Sequence, residues 1–288
     1  MKKPYLYAFA AIGFWSTTAT VSKLLLHSFT TIQMLAVCSA VAAAFLLTVN
    51  LATGKLRPLK TYRLRDYLVT AGVGLLGTFF YNMFLVFGID RLLASQAMII
   101  NYLWPMMAVI AGCVLLKEKM TVRKALAVAM SFLGVVIVTS NGQLSGLAGG
   151  NLLGAGFCVL AALSYGLFVV LNKRLPYASS VSMMLYYIVS TLVAVTCVLV
   201  SGDLPKLKGM QSLGLLWIGL GDYAIAYVSW ALAMKAGQTA KIANLAYITP
   251  FLSLLVAHFV LGDPLTVWSI GGLAVIVAGI FLQLKDAK

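Results

Sequence analysis

Residues 102–123, YLWPMMAVIAGCVLLKEKMTVR, recur 145 positions later as residues 247–268, YITPFLSLLVAHFVLGDPLTVW. A fixed displacement that holds over so many positions indicates a duplicated structural unit. It superposes identical residues inside and beyond the quoted stretches: Tyr102 on Tyr247, Pro105 on Pro250, Leu116 on Leu261, Thr121 on Thr266, Val122 on Val267, Ala129 on Ala274 and Gly134 on Gly279.

The composition is that of a membrane protein. Of the 288 residues, 62% are hydrophobic and 10% are charged, and the mean hydropathy is +0.99. Soluble domains contain about 25% charged residues. A bilayer accommodates so apolar a chain as helices of about 20 residues, because every backbone amide is then bonded within its own helix. The sequence therefore predicts an all-α, polytopic membrane protein whose surroundings are the lipid bilayer.

Apolar runs separated by short loops predict ten transmembrane helices. Because each half would hold an odd number of spans, the second half must cross the membrane in the opposite direction. We therefore expect two inverted-topology five-helix repeats, residues 1–145 and 146–288. The predicted spans are residues 4–26, 30–52, 66–88, 93–116, 121–140, 151–173, 179–201, 211–234, 240–261 and 265–284.

The basic residues lie almost entirely on one side of the predicted spans. A net charge of +14 is a property of many nucleic-acid-binding proteins, so the placement of the charges has to decide its meaning. By the positive-inside rule the basic side is cytoplasmic, which places both termini in the cytoplasm and argues against a nucleic acid partner. The exceptions among the 21 Lys and Arg residues are Lys23, Arg91, Lys206 and Lys208.

The sequence predicts neither a metal site nor a cofactor. The cysteines lie inside apolar runs without the paired spacing of metal ligands, and His27 and His258 have no ligand companion nearby. A Walker-type phosphate-binding loop is absent from the sequence, which argues against ATP hydrolysis by this chain alone.

Polar and aromatic side chains at mid-span are the candidate binding residues. In hydrocarbon such groups are costly unless they face the bundle interior or a wet cavity. The ordinary alternative for Trp and Tyr is the interfacial belt, and for Trp230 the two interpretations stay open. The candidates are Trp15, Tyr81, Asn82, Asn101, Trp104, Tyr165, Tyr227 and Tyr247.

Two prolines at equivalent positions predict paired kinks. Pro105 and Pro250 each remove a backbone donor and free a carbonyl one turn earlier, those of Asn101 and Ala246. We expect these carbonyls to accept a bond from a ligand or water, although prolines in membrane helices also occur as simple bends. Asn101 and Trp104, three residues apart on one helical face, would form a clamp beside the first kink.

Asp222 is the one acidic residue that the predicted spans place near a helix centre. A lone carboxylate in the membrane suits a proton carrier or the partner of a substrate amine. The alternative is a neutral group, or one paired with lysine or backbone at a wet mouth. We therefore mark Asp222 as a possible coupling residue.

Taken together, these residues resemble the EamA-type branch of the drug/metabolite transporter superfamily. The resemblance is carried by Trp15-Ser16 in helix 1, Ala226-Tyr227-x-x-Trp230 in helix 8, and the acidic turns at Glu118 and Asp263. Within that branch, Asn101-Tyr102-Leu103-Trp104-Pro105 preceded by Tyr81 is similar to the YddG-type exporters, which release aromatic amino acids and also handle the dication methyl viologen.

The resemblance implies a secondary transporter that exports amino acids, aromatic or other neutral, or related small metabolites across a bacterial-type inner membrane. It implies alternating access to a central cavity lined by helices 1, 3, 4, 6, 8 and 9, and we expect a functional monomer. Asp222 departs from the family pattern, which usually has a small or apolar residue there. An exporter of cationic drugs, a passive channel and an intramembrane lipid-modifying enzyme remain as alternatives.

Overall fold

The chain folds into a bundle of helices in a computed structural model that describes residues 3–143, 150–173, 175, 179–207, 209–236, 242 and 245–284. These residues contain helices and turns and no strand, so the all-α prediction is confirmed for them. In chain order the long helices are α1 (Lys3–Leu25), α2 (Thr31–Ala52), α3 (Leu64–Arg91), α4 (Ala94–Leu115), α5 (Val122–Ser140), α6 (Gly150–Asn172), α7 (Ser179–Ser201), α8 (Met210–Lys235), α9 (Ala246–Leu261) and α10 (Val267–Leu284).

Seven of these helices, α2 to α8, are long and apolar enough to cross a membrane. The apolar stretches of α9 (Ala246–Leu261) and α10 (Val267–Leu282) are shorter than the seven spans. Helix α1 is less apolar, because it carries the hydroxyl-rich stretch 16–18 near its middle. The protein is therefore a multi-pass membrane protein, and the described residues hold seven candidate spans by length and composition where the sequence predicted ten. The predicted start of the ninth span, at residue 240, lies outside the described residues.

The local sequence explains where several helices begin. Thr30 precedes α2 and its side chain accepts a hydrogen bond from Gln33 N, while Gln33 Oε1 accepts one from Thr30 N at 2.9 Å. This reciprocal capping box satisfies donors that the first turn leaves free. Thr121 caps α5 in a similar way by accepting a bond from Lys124 N at 3.2 Å.

Two helices widen into π-helical segments at matching places in the two halves. The segment in α3 is Leu75–Phe80, and the segment in α8 is Trp217–Ala226. A displacement of 145 residues places the first range within the second. The first segment packs tightly, since a Cβ on Gly74, which precedes it, would lie 2.6 Å from the ring of Tyr186 on α7. Single π-helical turns are often found at functional sites.

The two equivalent prolines also interrupt helices at matching places. In α4 the helix breaks at Tyr102 and Leu103 and resumes at Trp104, with Pro105 in its first turn. In α9 a 3-10 turn, Ala246–Ile248, precedes the α-helix whose first turn holds Pro250. Proline is suited to the first turn because it lacks the amide hydrogen that this turn does not use.

Helices α5 and α10 meet through a reciprocal glycine contact. A Cβ on Gly134 would lie 2.7 Å from Gly272 O, and a Cβ on Gly279 would lie 2.8 Å from Ala127 O. Gly279 and Gly272 are the residues 145 positions after Gly134 and Ala127, so each half contributes the same pair of positions. The two helices run antiparallel, and the small residues let their backbones approach closely.

Helices α2 and α7 are likewise antiparallel. Gln33 Nε2, near the start of α2, donates to Asp203 O just after α7 at 2.9 Å. At the opposite end, Asn50 Nδ2 donates to Ser180 O at 3.2 Å. Further contacts between the halves include those of α6 with α3 and α4, and of α1 with α8 and α9. These last six helices surround the centre of the molecule.

Candidate functional site

A cavity of about 530 Å³ lies between the six central helices, α1, α3, α4, α6, α8 and α9. These are the helices that the family resemblance implied. The structure brings together in its wall every residue predicted to bind substrate, together with Asp222 and Pro105. Pro250 is buried in α9 and does not line it. The predicted residues in the wall are Trp15, Tyr81, Asn82, Asn101, Trp104, Tyr165, Tyr227 and Tyr247.

One side of the cavity is a cluster of rings centred on Tyr165 of α6. The Trp104 ring meets it edge-on, with 5.2 Å between ring centroids and 90° between planes. The Tyr81 ring approaches at 4.8 Å with a tilt of 39°. Edge-to-face and offset arrangements are the favourable geometries for aromatic pairs. The three rings therefore form a continuous wall built from α3, α4 and α6.

A second group of rings comes from α1 and α8. The Trp15 ring lies 5.5 Å from that of Tyr227 and 5.4 Å from that of Trp230. All three side chains line the cavity. Trp230 is thus a cavity residue in the structure, although its sequence position was equally suited to the interfacial belt.

Amide groups complete the wall near Tyr81. Asn101 Nδ2 donates to the Tyr81 hydroxyl at 3.2 Å, and Asn101 Oδ1 is buried without a hydrogen-bond partner. Asn82 Nδ2 donates to Thr78 O at 2.6 Å, so this amide serves the π-helical segment of α3. The α-helix is interrupted between Asn101 and Trp104, at Tyr102 and Leu103. Both side chains line the cavity.

Asp222 lies in the π-helical segment of α8 and is 5% exposed. Its Oδ2 accepts a hydrogen bond of 2.9 Å from Thr18 Oγ1 on α1. Thr18 is itself a cavity residue that the sequence reasoning missed. Its position one turn after Trp15 was the available signal, since residues three apart share a helical face.

The equivalent tyrosines Tyr102 and Tyr247 make different contacts. The Tyr102 hydroxyl donates to Ala246 O at 2.9 Å. Pro250 frees this carbonyl, and the sequence predicted a ligand or water as its partner. In the structure its partner is a side chain of the other half. Tyr247 instead has its ring edge-on to that of Phe281, 5.6 Å away, and both tyrosines line the cavity.

The cavity reaches one end of the helices, which we call the Glu118 end. Glu118, just beyond α4, and Lys173, just beyond α6, both line it and are exposed. Lys124 Nζ lies 3.1 Å from Glu118 Oε2. Neither mouth residue was among the predicted site residues, because loop charges were counted only as topology signals.

Polar contacts join the helices at the opposite end of α4, which we call the Asp263 end. Asp263 Oδ2 accepts bonds from Ser95 N at 3.0 Å and from Ser95 Oγ at 2.8 Å, and the group is buried. Lys23 Nζ donates to the carbonyls that end α3, those of Ile89, Asp90 and Leu92, at 2.6 to 2.9 Å.

The two-fold sequence pattern has a counterpart in a known family. The profile of the EamA-like transporter family matches residues 2–140 and, a second time, residues 152–284. The chain belongs to this family. The EamA assignment covers both halves of the cavity and makes the protein a membrane transporter.

Individual relatives of this EamA transporter are distant but match over most of their length. An uncharacterized transporter of Archaeoglobus fulgidus is 21% identical over 98% of this chain and 99% of its own. The aromatic amino acid exporter YddG of Ancylobacter novellus is 24% identical over 87% of this chain and 86% of its own. A solved crystal structure, 22% identical, covers 97% of this chain with a TM-score of 0.65, which shows the same fold.

Proposed function

We propose that this EamA protein is a secondary exporter of amino acids, aromatic or other neutral, or of related small metabolites. The observation that carries the proposal is the cavity of about 530 Å³, whose walls combine indole and phenol rings with buried amides. Small-molecule sites typically measure about 300–1,000 Å³ and pair apolar walls with a few polar groups. Rings of this kind suit aromatic and ammonium-bearing solutes.

Two inverted five-helix repeats, residues 1–145 and 146–288, are the architecture we propose, with α1 to α10 all spanning the membrane. The support is the antiparallel pairing of α2 with α7 and of α5 with α10. In the α5–α10 pair, each half contributes the same two positions, related by a displacement of 145 residues, as a two-fold axis in the membrane plane would produce. Each half then supplies the same parts of the cavity wall from opposite directions.

In the orientation that we propose, the Glu118 end faces the cytoplasm of a bacterial-type inner membrane. The basic loops lie at this end, and both termini follow the same side by the positive-inside rule. A single chain supplies every wall of the cavity. The monomer is accordingly the proposed transport unit.

Alternating access follows from the difference between the two ends. The cavity extends to Glu118 and Lys173, whereas hydrogen bonds donated by Ser95 to Asp263 join the halves at the other end. An exporter loads its substrate in this state. Release requires the Asp263 end to part and the Glu118 end to close, with Pro105 and Pro250 as the kinks about which α4 and α9 bend.

Within this proposal the cavity residues have distinct roles. Trp104 and Trp15 supply faces on which a ring or a cation lies. Asn101 offers an amide oxygen to a substrate donor. Asp222 is the candidate for coupling to protons, because it is the acidic residue buried in the wall.

The relatives favour a carrier over the enzyme alternative. They are named transporters, and one is named an aromatic amino acid exporter. What these relatives transport extends to this chain only as a proposal, since the identities are between 21% and 24%. A passive channel remains to be separated from a carrier by kinetics.

The decisive experiment is counterflow in proteoliposomes with labelled tryptophan, phenylalanine, leucine and glutamate, with and without a pH gradient. We expect saturable counterflow of the neutral amino acids. Trp104→Ala and Asn101→Ala should each reduce it about tenfold or more, since a single stacking or buried hydrogen-bond contact contributes about 1–2 kcal/mol.

The matched control is Trp217→Ala, which removes the same side chain from α8 at a position 45% exposed and outside the cavity. Its flux should stay near wild type. Non-saturating flux of all four solutes would identify a channel. Wild-type flux in both cavity variants, with normal elution from a sizing column, would remove these residues from the site.

A further inference from the structure

Among the residues that the structure describes, the deep part of the cavity is lined by acceptors and rings and by no basic side chain. The lining includes the Asp222 carboxylate, and Lys173, the basic residue of the described lining, is exposed at the Glu118 end. The ion pairs found within the described part of the chain do not include Asp222. A buried carboxylate without a cation is costly, because water that would solvate it is excluded.

The cavity wall that holds Asp222 suits a cation. Thr18 Oγ1 donates to one carboxylate oxygen at 2.9 Å, which fixes the orientation of the group. Tyr223, Tyr227 and Trp15 line the same cavity. Aromatic faces beside a carboxylate form the arrangement that binds ammonium groups in proteins, because both present negative potential to the cation.

A second acceptor lies in the same wall. Asn101 is 2% exposed, and its Oδ1 has no hydrogen-bond partner, while its Nδ2 is held by the Tyr81 hydroxyl. An oxygen buried in this way is unfavourable unless a ligand donates to it. A primary ammonium has three hydrogens and can serve a carboxylate and an amide oxygen together.

We propose that Asp222 and Asn101 Oδ1, with the surrounding ring faces, form a subsite for a protonated amine. This rests on the proposed export function and names the substrate class: solutes that carry an ammonium group next to an aromatic body. The amine is the charged group that the site recognises. An aromatic amine that lacks a carboxylate therefore binds at least as well as the parent amino acid, and organic anions are excluded.

The first test compares ligands on the wild-type protein in proteoliposomes. Unlabelled tryptamine, tryptophan, indole and indole-3-acetate compete with counterflow of labelled tryptophan. Tryptamine should inhibit at concentrations equal to or below those of tryptophan. Indole-3-acetate should need about tenfold more or fail, the scale of a desolvated charge contact. A ranking in which indole-3-acetate competes as well as tryptamine overturns the subsite.

The second test uses Asp222→Asn, which keeps an oxygen acceptor for Thr18 and removes the charge. Inhibition by tryptamine should weaken about tenfold or more, whereas inhibition by uncharged indole should change less than about twofold. Asp203→Asn is the matched control, since it removes an exposed carboxylate outside the cavity and should leave both values unchanged.

The outcomes separate this inference from the proposed function. If Asp222→Asn still supports counterflow of tryptophan, and inhibition by tryptamine and by indole weakens equally, the amine subsite is contradicted and the export function stands. Absence of any flux in the wild-type protein sinks the exporter itself. If Asp222→Asn does not fold, the wild-type ranking of tryptamine against indole-3-acetate still decides the inference.

Discussion

The two ends of the cavity are built from equivalent residues that make different contacts. Asp263 lies 145 positions after Glu118. At the Asp263 end the carboxylate is buried and accepts two bonds from Ser95, in the first turn of α4. At the other end Glu118 is exposed and pairs with Lys124 from its own half. An acidic group at a helix start satisfies free amides and the helix dipole, so Asp263 caps α4 from the other half.

Two further pairs differ in the same way. Tyr102 donates to the freed carbonyl of Ala246, whereas its equivalent Tyr247 packs edge-on against Phe281; both tyrosines line the cavity. Lys23 binds the carbonyls that end α3, whereas Lys173, 150 positions later, is exposed at the mouth. Within the part of the chain that the structure describes, equivalent residues thus make different contacts.

In the proposed alternating-access cycle, the contacts at the ends belong to one conformational state, whereas the α5–α10 contact belongs to the fold. The glycine contact is satisfied in both halves at once. Among the described residues, the hydrogen bonds between Ser95 and Asp263 are found at one end, and position 240, the equivalent of Ser95, lies outside the described residues. A second state that exchanges them would have similar energy, because it uses the same residue types in the other half.

The largest expected effect is on the symmetric contact. Gly134→Ala and Gly279→Ala should each destabilise the protein by about 1–3 kcal/mol, since each new Cβ would press on backbone oxygen of the facing helix. Thermal unfolding in detergent measures this. Gly271→Ala on α10 is the control, because its Cβ would meet nothing within 4 Å. A large loss of stability in one glycine variant, with no change in the other, would show that the contact is not symmetric.

The next largest effect is expected from Asp263, and a much smaller one from its equivalent Glu118. Asp263→Ala leaves the start of α4 uncapped, which costs about 1–2 kcal/mol and shifts the balance of states about 5- to 30-fold. The reporter is a single cysteine at Met98, a cavity residue one turn beyond Ser95, in a background without native cysteines. An impermeant maleimide applied at the Asp263 end of sealed vesicles should label this variant faster.

Glu118→Ala is the matched comparison and should change the labelling rate less than about twofold, because an exposed ion pair contributes about 0–1 kcal/mol. Equal acceleration in both variants would mean that the Asp263 contact does not close its end.

The smallest expected effect is a difference in labelling rate between variants of the equivalent tyrosines Tyr102 and Tyr247. Tyr102→Phe removes one interhelical hydrogen bond, worth about 1 kcal/mol, and should raise labelling at the same reporter about fivefold. Tyr247→Phe should leave the rate near wild type, since its hydroxyl does not hold this end shut. The reverse ranking would show that the Tyr102 bond belongs to the open state.

Much of the cavity was predictable from the sequence, and for a simple reason. Trp104, Asn101 and Tyr165 are polar or amphipathic groups in the middle of apolar runs, and the energetics of hydrocarbon turn such groups inward. Asp222 was found by the same argument. The repeat added the pairing of Pro105 with Pro250.

The contacts that close one end were not predictable. The reach of Tyr102 to Ala246 and of Asp263 to Ser95 depends on how the halves are placed in one state, and local sequence patterns do not encode that placement. The π-helical segments were missed because they need only one extra residue in a turn, which leaves no composition signal. Thr18 was missed because the helical face that it shares with Trp15 was not considered. Lys173 was missed because loop charges were counted only as topology signals.

The most direct test of alternating access is a pair of distances measured by electron spin resonance in proteoliposomes. One pair of labels, at Leu93 and Leu265, spans the Asp263 end, and another, at Lys119 and Lys173, spans the Glu118 end; all four positions are exposed. On adding saturating tryptophan, the account predicts that a population appears in which the first distance lengthens and the second shortens. Two distances that stay fixed during transport, or that lengthen together, would contradict it.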